Sequence, residues 1–248
     1  MIQLKSPREI EQMRKAGKVV AEVLGLISEN IRPGITTKTL DQLAADYFEK
    51  RGARSAFLGY QGFPAHICVS IDDEVVHGIP SERRLVEGQI VSVDVGAVVD
   101  GYYGDSARSF TVGRASSSAR ELLKTTEEAL YEGLKQCHVG KRLGDLSAAI
   151  QRYAESRGFS VVRDLVGHGI GRKMHEEPQV PNFGLAGTGI EFKEGLVLAI
   201  EPMINAGRYE IRILPDGWTI VTADGSNSAH FEQTVAITSN GPDILTKR

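Results

Sequence analysis

The sequence predicts an α/β (α+β) protein made of two similar halves, and three observations carry that prediction. Amphipathic helix patterns alternate with apolar, β-branched runs of strand length. The order of these elements occurs twice, and residues coincide when the numbering is shifted by 106. Residues 91–112, VSVDVGAVVDGYYGDSARSFTV, form two β-rich arms around Asp100-Gly101, the chemistry of a tight hairpin turn.

Ser6-Pro7 followed by Glu9 caps a first helix, with proline at its first position. Ile10, Met13, Gly17, Val20, Leu24 and Ile27 carry that helix at three- and four-residue spacing to about Asn30, where Arg32-Pro33-Gly34 stops it. A second helix starts near Thr37, capped by Thr37 or Thr39, and its Leu40, Leu43, Ala44, Tyr47 and Phe48 lead to Arg51-Gly52. Strands are expected at 65–71 and 89–99, with the hairpin partner at 102–112. A serine-rich break at 116–118 offers the next cap. Leu122, Thr126, Ala129 and Leu130 then line a helix to about Gln136, and a shorter helix runs from about Leu143 to Ser156. Later strands are expected at 160–164, 197–203, 218–222 and 231–237.

The shift of 106 places Gly34 on Gly140, Leu40 on Leu146, Tyr47 on Tyr153, Glu49 on Glu155, and Arg51-Gly52 on Arg157-Gly158. The chain therefore reads as one domain, 1–248, with halves of about 7–112 and 113–239 related by a pseudo-two-fold. Polar groups from both halves are expected in the groove where the halves meet.

Composition narrows the function classes. At 248 residues, with 41% hydrophobic and 25% charged residues, the chain can bury a large globular core. Net charge is -3 with the signs interspersed, and no basic stripe carries interleaved aromatics, so no nucleic-acid partner is expected. Cys68 and Cys137 make neither a disulfide framework nor a thiolate metal site and suit a reducing compartment. The N-terminus turns charged and amphipathic at once, and the apolar runs are too short to span a bilayer. A cytoplasmic protein without a membrane partner is expected, and no zipper pattern argues against a monomer. The glycines at 167–171 lack the dinucleotide fingerprint, and no P-loop, nucleophile-elbow or HExxH motif occurs.

Asp94 and Asp105 stand eleven positions apart. A two-residue loop at 100–101 puts Asp94 opposite Ala107 and diagonal to Asp105; a four-residue loop at 98–101 puts the two aspartates face to face. Either register places both carboxylates on one face of the hairpin, where they repel each other unless a cation lies between them. A strand-end charge at Asp94 and a turn residue at Asp105 account for this stretch alone equally well. The second half adds His168, set among glycines, and His175 in MHEEP. It also adds Glu201 at the end of the apolar run GLVLAI and Glu232 ahead of an apolar strand. Singly these read as loop histidines and solvated strand-end charges. An acid within LVLAIEPMI is nonetheless costly to bury unpaired. Two aspartates, one imidazole and two glutamates together suit a pair of divalent ions, with a donor set that favours manganese, iron, cobalt or zinc.

The stretches FLGYQGFPAHICVS, EVVHGIP, SVDVGAVVDGYYGDSARSF, GHGIGRKMHEEPQV, IEPMIN and DGWTIVTADGSNSAHFEQTV resemble the type I methionine aminopeptidases, in their short bacterial form, over nearly the whole chain. The resemblance implies a pita-bread fold, with helices outside and a curved antiparallel sheet lining the groove. It implies two divalent ions held by Asp94, Asp105, His168, Glu201 and Glu232, with Asp105 and Glu232 bridging. Glu201, His175 and His77 would be catalytic, and a pocket of Phe57, Tyr60, Phe63, Met174 and Trp218 would take the methionine side chain, with His77 and His175 beside it. Phe57, Phe63 and Met174 depart from the cysteine, tyrosine and phenylalanine of the best-known bacterial members while keeping the lining apolar. The implied substrate is a nascent polypeptide, at or near the ribosome, whose second residue is small. Two other readings stand beside this one. A proline-directed enzyme of the same fold usually carries an added N-terminal domain, for which this chain leaves no room. A metal-free binding relative would not need the complete ligand set.

Overall fold

In the computed structural model residues 2–247 are described, and the first and last positions of the 1–248 span lie outside them. Helix α1 (Pro7–Asn30) opens on a reciprocal cap: the Ser6 hydroxyl accepts from the Glu9 N–H, and the Glu9 carboxylate accepts from the Ser6 N–H. Helix α2 (Thr37–Lys50) is capped by Thr36, not by Thr37 or Thr39. Thr36 has the extended backbone a cap requires, and its hydroxyl accepts from the Thr39 N–H at 3.1 Å. Thr37 already lies in the helix and donates its hydroxyl to Ser81 O.

Strands β1 (Arg54–Ser55), β2 (Cys68–Ile71), β3 (Glu74–Val76), β4 (Ile90–Val99) and β5 (Tyr102–Thr111) complete the first half. The expected strand at 65–71 is shorter because the Asp41 carboxylate takes the N–H groups of His66 and Ile67. In the second half α3 (Ser117–Leu134) is capped by Ser116, and α4 (Leu143–Glu155) follows. Then come β6 (Ser160–Val161), β7 (Gly167–Gly169), β8 (Glu176–Val180), β9 (Val197–Ile200), β10 (Met203–Asn205), β11 (Ile211–Ile213), β12 (Ile220–Thr222), β13 (Ser228–His230), β14 (Gln233–Thr238) and β15 (Gly241–Ile244). The strand expected at 218–222 starts late, because Asp216 takes the N–H groups of Trp218 and Thr219. The one expected at 160–164 is reduced to β6.

Every strand pairing is antiparallel. Strand β4 pairs with β1, β2 and β5, and a second sheet runs β15-β14-β9-β7-β8. Where the first half has the continuous pair β4–β5, the second has two short pairs, β9–β14 and β10–β13. The strands expected at 197–203 and 231–237 are thus interrupted, at Glu201-Pro202 and Phe231-Glu232. Pro202 has no N–H to give to a ladder, and Glu232 turns its N–H to Ala107 O of β5 at 2.9 Å.

That turn stitches the halves together. The Asp105 N–H donates to Thr234 Oγ1 at 3.0 Å, and the same hydroxyl donates to Asp105 O at 2.8 Å. Ser106 Oγ donates to Glu232 O at 2.5 Å. Each half buries its own apolar cluster, with Val20, Ile27 and Leu40 against Val91 and Val93 in the first and Leu122, Leu130 and Leu146 against Leu198 and Val235 in the second. Helix α1 crosses β5 at glycines: a Cβ at Gly104 would lie 2.7 Å from Gly17 N. Among the described residues no helix is long and apolar enough to cross a membrane.

Candidate metal centre and active site

The hairpin turn fixes the register. Asp100 and Gly101 both have positive φ, 51° and 78°, as a two-residue turn of this hand requires. Asp94 therefore pairs with Ala107 and Asp105 with Gly96, so the two carboxyls are diagonal neighbours on one face. Opposite them, β7 brings His168 into the groove. Its glycine neighbours make room for backbone, not for a ligand: a Cβ at Gly167 would meet Ala199 O at 2.4 Å, and one at Gly169 would meet Glu177 O at 2.3 Å. Glu201 and Glu232 sit at the two strand interruptions, where no ladder bond confines them.

Asp105, His168 and Glu232 are all buried, and each offers a donor atom within 4.8 Å of the others. His168 Nε2 lies 3.8 Å from Asp105 Oδ2 and 3.7 Å from Glu201 Oε1. Its Nδ1–H donates to Gly169 O at 2.9 Å, which leaves the Nε2 lone pair facing the carboxylates. Burial, reinforced by nearby His175, lowers the His168 pKa to about 4, so the ring is neutral and free to act as a ligand.

The carboxyls are crowded. Burial raises Asp94 to about 7, although bonds from Asp105 and the Val95 N–H act the other way. Burial, then the charges of Glu232 and Asp94, pushes Asp105 well above the usual range. Burial likewise raises Glu201, with help from Asp105 and Asp94, and Glu232, with help from Glu201 and Asp94. Asp94 Oδ1, Asp105 Oδ1 and Glu232 Oε1 are buried without a hydrogen-bond partner. Such acceptors cannot all stay ionised unless a cation lies among them. Oxygen and imidazole donors with unspent lone pairs fit hard or borderline divalent ions. Cys68, opposite Asp94 on β2, adds no thiolate, because burial and then the Asp94 charge push its pKa well up.

All the sequence-predicted site residues line one cavity of about 360 Å³. Phe57, Tyr60, Phe63, Met174 and Trp218 form its apolar side and Asp94, Asp105, His168, Glu201 and Glu232 its polar end, with His77 and His175 between. The Phe63 and Trp218 rings meet edge-on at 5.1 Å, and Tyr60 Oη lies 2.8 Å from His175 Nδ1. The loop before His175 is tied down by Glu176, whose carboxylate takes Lys5 Nζ at 2.5 Å and the Arg172 N–H at 2.9 Å. His77 is held at φ 60°, a conformation costly for a residue with a Cβ. Its place is fixed by Gly78, where a Cβ would strike Val69 O at 2.2 Å.

Two polar residues escaped the sequence reading: Gln61, which lines the cavity, and His230. His230 is 2% exposed, and its Nε2 has no hydrogen-bond partner and lies 3.7 Å from Glu201 Oε2. Burial, and then His77, lowers its pKa to about 3. The available signal was its place two residues before Glu232.

A neutral imidazole among crowded carboxyls, opening onto an apolar pocket, describes a metal-dependent hydrolase. Residues 11–239 match metallopeptidase family M24, and the chain belongs to that family. It is 53% identical to the methionine aminopeptidase of Clostridium perfringens over 99% of each chain, and 51% identical to methionine aminopeptidase 1 of Bacillus subtilis over 100% of each. The crystal structure of methionine aminopeptidase from Thermotoga maritima matches with a TM-score of 0.99 at 48% identity, covering 100% of both chains. These full-length matches place the chain among the methionine aminopeptidases of its family. The prolidase of Pyrococcus furiosus, 23% identical with a TM-score of 0.80, shares the fold; this chain covers 65% of it. The fold is the pita-bread arrangement, with paired helices and antiparallel sheets in both halves.

Proposed function

We propose that this protein removes the amino-terminal methionine from peptides and nascent proteins whose second residue is small. The observation that carries the reading is the single cavity in which the Asp105–His168–Glu232 cluster adjoins Phe63, Met174 and Trp218. Asp94, Asp105, His168, Glu201 and Glu232 would hold two divalent ions (cobalt, manganese, iron or zinc). When bound, such ions lower the pKa of water and polarise a carbonyl.

The chain's own residues do the rest. The aromatic side chains and Met174 take the thioether, for which sulfur–aromatic contacts are favourable. Glu201 accepts a proton from the attacking water and passes it to the leaving nitrogen as the C–N bond breaks. Tyr60, donating to His175 Nδ1, leaves the His175 Nε2–H free to bond the carbonyl oxygen, a bond that strengthens as that oxygen gains charge. His77 steadies the nitrogen side of the scissile bond. The two repeat halves, about 7–112 and 113–239, form one catalytic domain that acts as a monomer in the cytoplasm, on chains emerging near the ribosome.

The test is turnover of Met-Ala-Ser, Met-Leu-Ser and Ala-Pro peptides by chelator-stripped protein reconstituted anaerobically with Fe(II), Mn(II) or Co(II). Metal-dependent release of methionine from Met-Ala-Ser alone is expected. Preferential cleavage of Ala-Pro would replace this reading with a proline-directed one.

A further inference from the structure

His230 lies within the site yet has no part in the chemistry assigned so far. Its backbone is clamped at both polar atoms by one hydroxyl: the His230 N–H donates to Ser109 Oγ at 2.9 Å, and Ser109 Oγ donates to His230 O at 2.9 Å. Ser92 bonds Ser109 Oγ at 2.7 Å, so the clamp is anchored in the β4–β5 hairpin that carries Asp94 and Asp105. On its other side His230 pairs with Met203, the residue that resumes the strand after Glu201-Pro202. The His230 backbone is therefore fixed beside the interruption that frees Glu201, with its ring buried there.

We propose that His230 is a positioning residue for Glu201, its Nε2–H donating to Glu201 Oε2 so that Oε1 faces His168 and the reacting groups. Glu201 is flanked symmetrically, with Oε1 3.7 Å from His168 Nε2 and Oε2 3.7 Å from His230 Nε2. The two imidazoles differ in what else they reach. His168 Nε2 also lies 3.8 Å from Asp105 Oδ2, a second carboxylate of the centre, whereas the carboxylate that His230 Nε2 faces is Glu201. His230 meets the cluster through Glu201, which suits a donor that orients a carboxylate and not a ligand. A buried imidazole nitrogen with no acceptor is costly, and a small turn of the Glu201 carboxylate closes the bond. Such bonds are often long before substrate binds. The proposal rests on the role given to Glu201 above.

The primary test needs no substrate, so its outcome is separate from that of the activity reading. Protein carrying ¹⁵N-labelled histidine is measured by NMR, metal-free and after zinc addition, with His230 assigned by comparison with His230→Gln. The expected result is a proton on Nε2 in both states. A lone pair on Nε2, or loss of its proton on zinc addition, overturns the proposal and makes His230 a ligand. In kinetics, His230→Leu should lose roughly 10–100-fold in metal affinity or kcat with little change in KM. His230→Gln, which keeps an N–H donor, should recover most of it. Equal impairment of both variants, with a common fall in melting temperature, would reduce His230 to packing, and wild-type behaviour of His230→Leu would remove it from the mechanism.

Discussion

Asp94 and Asp105 are diagonal neighbours on one face of the β4–β5 hairpin, each with a buried carboxyl oxygen that no hydrogen bond satisfies. Asp105 is the more crowded, since Glu232 and Asp94 both press on it. Asp105→Asn should therefore have two opposite effects. Metal content after dialysis and reconstitution should fall, and activity with it, because a neutral amide replaces a carboxylate of the proposed metal centre. The metal-free protein should gain stability near pH 8, by roughly 1 kcal/mol, or about 2–4 °C in melting temperature for a chain of this size. Metal analysis and thermal unfolding check the two arms. Full metal content with normal turnover would sink the assignment.

His175 makes a different prediction, because it reaches the groove from a loop and its Nδ1 is engaged by Tyr60. His175→Ala should keep its metal and lose about 10²–10³-fold in kcat, the usual effect of deleting one donor to a developing oxyanion. Metal loss matching the loss of activity would place His175 among the ligands.

What the sequence made legible, and what it hid, follows from the range of the interactions. The start of α1 was readable because Ser6, Pro7 and Glu9 make the cap among themselves. The hairpin was readable up to its register, which Asp100 and Gly101 settle through positive φ. Asp94, Asp105, His168, His175, Glu201 and Glu232 stood out from their surroundings while His77 entered through the family resemblance alone, and the structure brings these seven to one cavity. Strand β8 was hidden: it contains Pro178 and two glutamates, and it is a strand only because β7 pairs with it. The interruption at Glu232 was hidden too, since it depends on bonds that cross between halves, whereas the one at Glu201 is set locally by Pro202. His230 was missed because a histidine beside a recognised glutamate carries no local mark of a long-range clamp such as Ser109.

Away from the groove, Asp224 offers a pH test. Its carboxylate takes the Arg208 N–H at 2.7 Å and the Ser226 N–H at 3.0 Å. The Arg208 backbone bond, then bonds from Ser226, lower its pKa from 3.8 to about 2. A lowered folded-state pKa contributes stability that is present above the unfolded value and lost as pH falls through the folded one. The melting-temperature gap between wild type and Asp224→Asn should be constant above about pH 5 and close between about pH 4 and pH 2. Asp224 is exposed, so solvent screening limits the gap to about 1 kcal/mol or less. Thermal unfolding of both chelated proteins across that range is the measurement, and a gap that widens on acidification would refute the assignment.

The last prediction concerns the residue after the methionine. In the proposed reading the apolar side of the cavity takes one side chain, bounded by the edge-on pair Phe63 and Trp218 and by buried Met174. On the same reading His77 and His175, which line the same cavity, wall its exit side. Neither wall has much freedom: His77 is set by the Gly78 backbone packed on Val69, and His175 by Tyr60 and the Glu176-tied loop. His77 also faces Trp218 edge-on at 6.3 Å, so moving it outward disturbs the pocket itself. A Gly, Ala, Ser, Thr, Pro, Val or Cys at the second position should pass between these rings. Leu, Phe or Lys should push the scissile carbonyl away from His175 and Glu201. A displacement near 1 Å costs about 10²-fold in rate, so the discrimination should appear mainly in kcat/KM. The measurement is a Met-Xaa-Ser series from Gly to Phe on metal-reconstituted enzyme, repeated with His77→Ala. The variant should be slower on Met-Ala-Ser but should narrow the ratio between Met-Ala-Ser and Met-Leu-Ser. Cleavage of Met-Phe-Ser as fast as Met-Ala-Ser by the wild-type enzyme would show that the two imidazoles do not crowd the second residue, and a broader aminopeptidase would take the place of this one.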